Sequence, residues 1–373
     1  MRSHVRVASV LVAVVASIAG VAMPAGAADK AGQVTEFSAG LSPVVLAGNQ
    51  YGPDLAGISA GPDGNVWFTE RLGVRLGRIT PDGVITELAG GFPAAVVDGA
   101  PTDAGPTGIT TGPDGNLWFG DETGPRIGRS TPDGAITEFT DGVTALTYYN
   151  AVEITAGPDG NLWFTQGVPR DSATGQGGVG RITPDGAITE FTDGITAYAN
   201  PFDIAAGADG NLWFTETRSV GRITPDGTVT EFSKGITGEN LLDITAGPDG
   251  NLWFTFEDGI GRITPKGKVT EFSSGISATP DGITTGCDGN LWFGVTGGIG
   301  RITPKGKVTT FTAGVTGAPS AITTGPDGNV WYLAADDNGF GHIGRVETGP
   351  PTRVRGKRAR NLPKACTPAE RTS

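Results

Sequence analysis

Cysteine, histidine and methionine are nearly missing from this 373-residue chain, which has two of each. Two cysteines cannot build a CxxC-type zinc site, and no Cys/His nucleophile pattern is present. Of the histidines, His4 lies in the N-terminal leader, so His342 is the sole imidazole beyond it. Long apolar runs are also missing after residue 30, which excludes a multi-pass membrane protein. Basic residues are scarce in the body, where residues 28–349 carry 18 Lys/Arg against 38 Asp/Glu. An acidic body repels phosphate backbones and excludes nucleic acid as its partner. Long uninterrupted segments are absent too, because 62 glycines and 26 prolines punctuate the chain. That excludes a mainly helical fold and favours short strands joined by tight turns.

The two ends differ from the body. Arg2 and Arg6 precede the apolar run 7–23 and the small residues Ala25 and Ala27. This pattern predicts a secretory signal peptide over 1–27 and a secreted or envelope-exterior protein. The tail 350–373 holds seven Lys/Arg against one Glu and is expected to be a basic, disordered end. Cys287 and Cys366 both fall in the exported part, where they either pair or remain free thiols.

Repetition is the dominant signal. Seven tryptophans, at 67, 118, 163, 213, 253, 292 and 331, recur 39 to 51 residues apart. Each sits in a block such as Gly157-Pro158-Asp159-Gly160-Asn161-Leu162-Trp163-Phe164 and is followed by a Gly-Arg pair such as Gly180-Arg181. After six of these pairs comes a Thr-Pro-Asp/Lys-Gly turn and a strand such as Ile188-Thr189-Glu190-Phe191. Asp-Gly between apolar runs is a hairpin connection. Each unit therefore reads as four short antiparallel strands, and seven such units predict an all-β, seven-bladed β-propeller over 30–349. The last unit lacks a fourth strand, while an unmatched Val34-Thr35-Glu36-Phe37 precedes the first unit. The N-terminal strand is thus expected to complete the seventh blade. The repeated third-strand Arg and fourth-strand Glu suggest cross-strand ion pairs. The recurring turn aspartates read as turn chemistry, because no D-x-D-x-D-G array accompanies them.

Uniform turns occupy one end of this ring. The connections of variable length, 89–107, 140–152, 166–178, 192–202 and 332–342, occupy the other, which is where recognition is expected. On that end Glu153, Asp203 and Asp243 open three consecutive innermost strands, with Asp281 beside them. Such carboxylates either bind a divalent cation or cationic ligand, or accept hydrogen bonds from backbone donors at the strand starts. Tyr51, Phe92, Tyr148, Tyr149, Tyr198, Phe202, Phe256 and Phe340 offer a stacking floor there. His342, in the last loop, is the candidate general acid or base, or else a surface residue.

The combination of the Gly-Pro-Asp-Gly-Asn-Leu-Trp-Phe block, Ile-Gly-Arg-Ile-Thr-Pro-Asp-Gly and Ile-Thr-Glu-Phe resembles the virginiamycin B lyase (streptogramin lyase) family over about 34–347. The resemblance implies a seven-bladed propeller. It also implies ring opening of cyclic streptogramin B antibiotics by elimination at the ester linkage, a resistance activity, with Mg²⁺. Family enzymes carry histidine at the start of innermost strands of late blades. The matching positions here are Ala56, Thr107, Val152, Phe202, Leu242, Asp281 and Ser320, none of them histidine. Two readings follow. The chain is an exported, monomeric binding module for a small molecule or extracellular partner. Alternatively it is a metal-dependent lyase or divergent hydrolase using Glu153, Asp203, Asp243 and Asp281.

Overall fold

Alternation sets the frame. Along Leu162-Trp163-Phe164, leucine and phenylalanine point to one side of the sheet and tryptophan to the other. Both sides are buried, so a neighbouring sheet must lie on each. In the computed structural model, seven four-stranded antiparallel sheets meet this demand. It describes residues 31–349 except 47–48, 89, 91, 93–95, 98–99, 102–104, 123–125, 144–151 and 169–174, together with Leu362, Pro363 and Cys366. The proposed signal segment and most of the basic tail therefore lie outside the described residues.

Blade 1 comprises Leu55–Ala60, Val66–Glu70, Arg75–Ile79 and Ile85–Leu88. Blades 2 to 6 repeat that order over 106–139, 154–191, 204–232, 244–272 and 283–311. Blade 7 takes Ala318–Thr324, Val330–Ala335 and Gly341–Val346 from the end of the chain and Val34–Phe37 from its beginning. There Val34 pairs with Val346 and Phe37 with Ile343, as the strand count predicts. Each innermost strand lies against the next, and that of blade 7 against that of blade 1, which closes the ring. Two small hairpins, Val44–Leu46 with Asn49–Tyr51 and Val96–Val97 with Ala100–Pro101, are added to the blades.

The core is a ring of wedges between blades. Trp163 of blade 3 packs with Leu212 and Phe214 of blade 4, and Trp213 of blade 4 with Leu252 and Phe254 of blade 5. At the seam, Trp331 packs with Val66 and Phe68 of blade 1. All seven tryptophans are fully buried. The Gly before each repeated Arg makes room for the aromatic ring after the tryptophan, Phe in six blades and Tyr332 in blade 7, since a Cβ on Gly180 would lie 2.0 Å from Phe164.

The structure corrects the ion-pair expectation. Register places Arg129 opposite Thr137 and Glu138 opposite Gly128, so the repeated Arg and Glu do not face each other. Arg129 instead lies over Trp118 and Phe139 and donates to the Pro184 carbonyl of the next blade at 2.9 Å. Arg181, Arg222 and Arg262 do the same to Pro225, Pro265 and Pro304. Each guanidinium ties two blades together through a cation–π stack and a charge-assisted hydrogen bond. The turn aspartates have a specific task as well. Asp159 accepts from the Trp163 indole at 3.1 Å and from the Asn161 backbone and side chain, and all seven turns repeat this.

Cys287 and Cys366 form a disulfide, settling the alternative the sequence left open. Cys287 lies in the first turn of blade 6, so the bond holds the C-terminal segment on the turn face. Among the described residues no helix is long and apolar enough to cross a membrane.

Candidate functional site at the channel mouth

Threonines two residues after the tryptophans set the entrance of the central channel. Thr165 Oγ1 accepts the Glu153 N–H at 3.2 Å and donates to the Phe202 carbonyl of the next blade at 2.8 Å. Thr215 likewise takes the Asp203 N–H and donates to Leu242, and Thr255 takes the Asp243 N–H. One hydroxyl thus fixes the start of two adjacent innermost strands. The carboxylates of successive blades are thereby presented at equivalent positions. Sequence reading missed these threonines, although their recurrence after Trp-Phe was visible.

Glu153, Asp203, Asp243 and Asp281 all line one cavity of about 380 Å³, with Phe202 and Ser320 in its wall. Protein surrounds the four side chains except toward the mouth, where they stay partly open. Burial, followed by the Asp243 and Glu122 carboxylates, pushes Glu153 up to about 8. Burial and then Glu153 raise Asp203 well above the usual carboxylate range, while backbone N–H donors oppose the rise. Asp243 is raised in the same way by burial and by its neighbours Asp203 and Asp281. Asp281 is pushed by burial to about 6.

The four groups are not equivalent. Asp203 accepts from the Ile204 N–H at 2.7 Å and the Ile244 N–H at 2.6 Å, so it joins blades 4 and 5. Asp243 reaches the Ile283 N–H of the next blade, and Asp281 the Gly282 N–H. The Glu153 carboxylate accepts no hydrogen bond from the described residues. The backbone-acceptor reading therefore holds for Asp203, Asp243 and Asp281, while Glu153 lines the same cavity without such a donor. Among the described residues, no three His, Cys, Asp or Glu side chains are grouped so that they could hold one ion. No chemical step is derived through Mg²⁺.

His342 stands elsewhere. It is buried in the third strand of blade 7, rather than exposed in a loop, and its Nε2 lies 3.1 Å from Thr316 Oγ1 and 3.3 Å from Glu36 Oε1. Tyr332 donates to the same Glu36 oxygen at 2.8 Å. His342 lines a separate cavity of about 360 Å³ that shares no residue with the channel mouth. The aromatic floor is divided as well. Phe256 is core, Phe92 packs on Phe119, and Tyr198 is exposed. Tyr51 and Phe340 line a third cavity of about 550 Å³, which meets the mouth at Ser320. Tyr148 and Tyr149 lie outside the described residues.

A closed seven-bladed ring with a channel mouth on its variable face defines the class of protein. Within that class, the sequence profile of the virginiamycin B lyase family matches residues 102–349, and the chain belongs to this family. It is 33% identical to the selenomethionine-substituted virginiamycin B lyase of Staphylococcus aureus, covering 82% of this chain and 98% of that one with a TM-score of 0.65. A streptogramin B lyase structure is 28% identical over 83% and 98% of the two chains, with a TM-score of 0.66. The Staphylococcus aureus enzyme made catalytically inactive by a histidine-to-alanine replacement, solved with quinupristin, is 31% identical over 82% and 98%, with a TM-score of 0.64. No curated protein sequence matches the chain.

Proposed function

We propose that this chain is an exported binding module that keeps the lyase scaffold without lyase chemistry, and that its mouth takes a cationic small molecule. One observation carries the reading: carboxylates line the mouth cavity and no imidazole does. Elimination needs a base beside the abstracted proton and an acid beside the leaving oxygen. In the Staphylococcus aureus relative, loss of one histidine leaves the enzyme catalytically inactive. Here the seven strand-opening positions hold none, and His342 is bound to Glu36 and Thr316. The apolar run 7–23 and the disulfide support export, since disulfides persist in oxidising compartments.

Carboxyl groups held protonated by burial give up their protons to a cation, so affinity for a cation should rise with pH through about 8, the range set by Glu153. Titration with 2-phenylethylammonium and with phenylacetate tests this. Saturable binding of the ammonium ion alone, tightening from pH 6 to 9 with proton release, supports the proposal. Equal binding of both probes, or of neither, contradicts it.

A second reading, lyase or hydrolase chemistry run by carboxyl groups, is favoured by Glu153 and Asp281, which are pushed to about 8 and about 6. Groups titrating near neutrality inside a cavity are suited to acid–base work. Turnover of a streptogramin B antibiotic that is lost in Glu153→Gln would establish it.

A further inference from the structure

Blades 1 to 4 carry a polar residue at the variable-face end of the second strand, near the fourth-strand acid, and they fill the position differently, whereas blades 5 to 7 place Phe256, Val295 and Ala334 there. In blade 1, Arg75 lies between Glu70, at 2.7 Å, and Glu87, at 3.5 Å. In blade 2, Arg126 bridges Asp121, at 3.9 Å, and Glu138, at 3.0 Å. Blade 3 uses an amide, with Gln166 Nε2 donating to Glu190 at 2.5 Å. Blade 4 has two acids, Glu216 and Glu231, and the position of the arginine is held by Ser219.

Glu216 is fully buried. Its Oε2 accepts from Ser219 at 2.6 Å, and its Oε1 has no hydrogen-bond partner. Glu231 faces it and is itself engaged, accepting from the Thr196 N–H at 2.6 Å and the Thr196 hydroxyl at 2.5 Å. The charged groups on the flanking segments, Arg218 and Glu239, pair with each other at the exposed surface at 2.8 Å. Tyr198 on the adjoining loop is exposed. No cation therefore stands between the two acids, and a buried acid facing a second, half-buried one relieves the repulsion by keeping a proton.

We infer that Glu216 keeps a proton, which it donates to Glu231, and that this proton latches the loop 196–203, which carries Phe202 and Asp203 into the channel mouth. A protonated Glu216 Oε1 donates to Glu231, supplying the missing partner. Glu231 then holds Thr196, while Thr217, next to Glu216, donates its N–H and hydroxyl to Ala199. Loss of the proton puts two charges against each other beneath both anchors. Burial and the Glu231 charge push Glu216 to about 8, compared with about 7 for Glu70, where Arg75 opposes the rise. The folded chain then holds a proton that the unfolded chain releases near the ordinary carboxylate value. The stabilisation is complete below that value, declines as pH rises, and is gone above about 8.

Glu216→Gln recreates the blade 3 arrangement and removes the titration. Thermal unfolding of the full chain and of this variant from pH 5 to 9.5 provides the test. The expected result is a melting temperature of the unmodified chain that falls by several degrees relative to the variant between pH 5 and 8, then runs parallel to it. Amide protection of Thr196 and Thr217, corrected for intrinsic exchange, should drop above pH 8 in the unmodified chain only. Ser219→Arg, which restores the bridge of blades 1 and 2, should flatten the same profile and serves if the first variant does not fold. Parallel profiles across the whole range, or equal loss of protection in both proteins, would overturn the inference.

Discussion

The two ends of the ring use the same framework in opposite ways. On the turn face every blade repeats one solution, an aspartate holding the tryptophan indole and the asparagine of its own turn. Arginines on the third strands join most blades to the next one. On the mouth face the threonine bracket recurs, yet the residue it presents changes from Gly57 to Glu153, Asp203 and Asp243. Repetition therefore marks what stabilises the ring. Departure from it marks where the blades stop being interchangeable.

The largest effect that could break this division is expected in the wedges. Trp163→Ala empties a fully buried site between blades 3 and 4 and should cost about 3–5 kcal/mol in denaturant unfolding. Next comes the disulfide. Cys366→Ser should cost about 2–4 kcal/mol, because the bond closes a loop of 79 residues in the unfolded chain. It should leave probe binding at the opposite face unchanged. Asp159→Ala removes the acceptor of three hydrogen bonds and should cost about 1–3 kcal/mol, again without changing binding.

On the mouth face the expectation reverses. Glu153→Gln touches a group with no hydrogen-bond partner among the described residues and should weaken ammonium binding. It should also alter the pH profile of stability. Because Glu153 is raised to about 8 in the folded state, its contribution is present below the ordinary carboxylate value and lost as pH rises through about 8. The variant should therefore lose less stability than the unmodified chain between pH 5 and 8, measured as denaturant midpoints. The smallest effect is expected at His342→Ala. It removes contacts to Thr316 and Glu36 worth about 1 kcal/mol and should not affect the mouth.

What could be read from the sequence follows from where each interaction runs. Strands, hairpin turns and the blade count lie in local patterns, and the unmatched Val34–Phe37 revealed the closure because a strand was missing elsewhere. The same pattern paired Arg129 with Glu138, whereas Arg129 reaches the Pro184 carbonyl of the next blade, beyond the reach of within-repeat reasoning, and Glu138 pairs with Arg126 on the third strand of its own blade. The partner of His342 is not legible in the sequence, because Glu36 lies at the far end of the chain and meets it only once the ring has closed. The four mouth carboxylates were legible from repeat register alone, since the strand start is the same place in every blade. Their hydrogen bonds differ from one another, which register does not encode. The pairing of Cys287 with Cys366 was undecided for the same reason, as its second partner lies outside the repeats.

The most direct test of the central claim is to incubate residues 28–373 with a streptogramin B antibiotic and Mg²⁺ and to follow the antibiotic by chromatography and fragmentation. Recovery of intact, cyclic antibiotic is the result expected of a scaffold whose mouth is lined by carboxylates and no imidazole. A ring-opened product of unchanged mass would contradict it and would assign the elimination to those carboxyl groups.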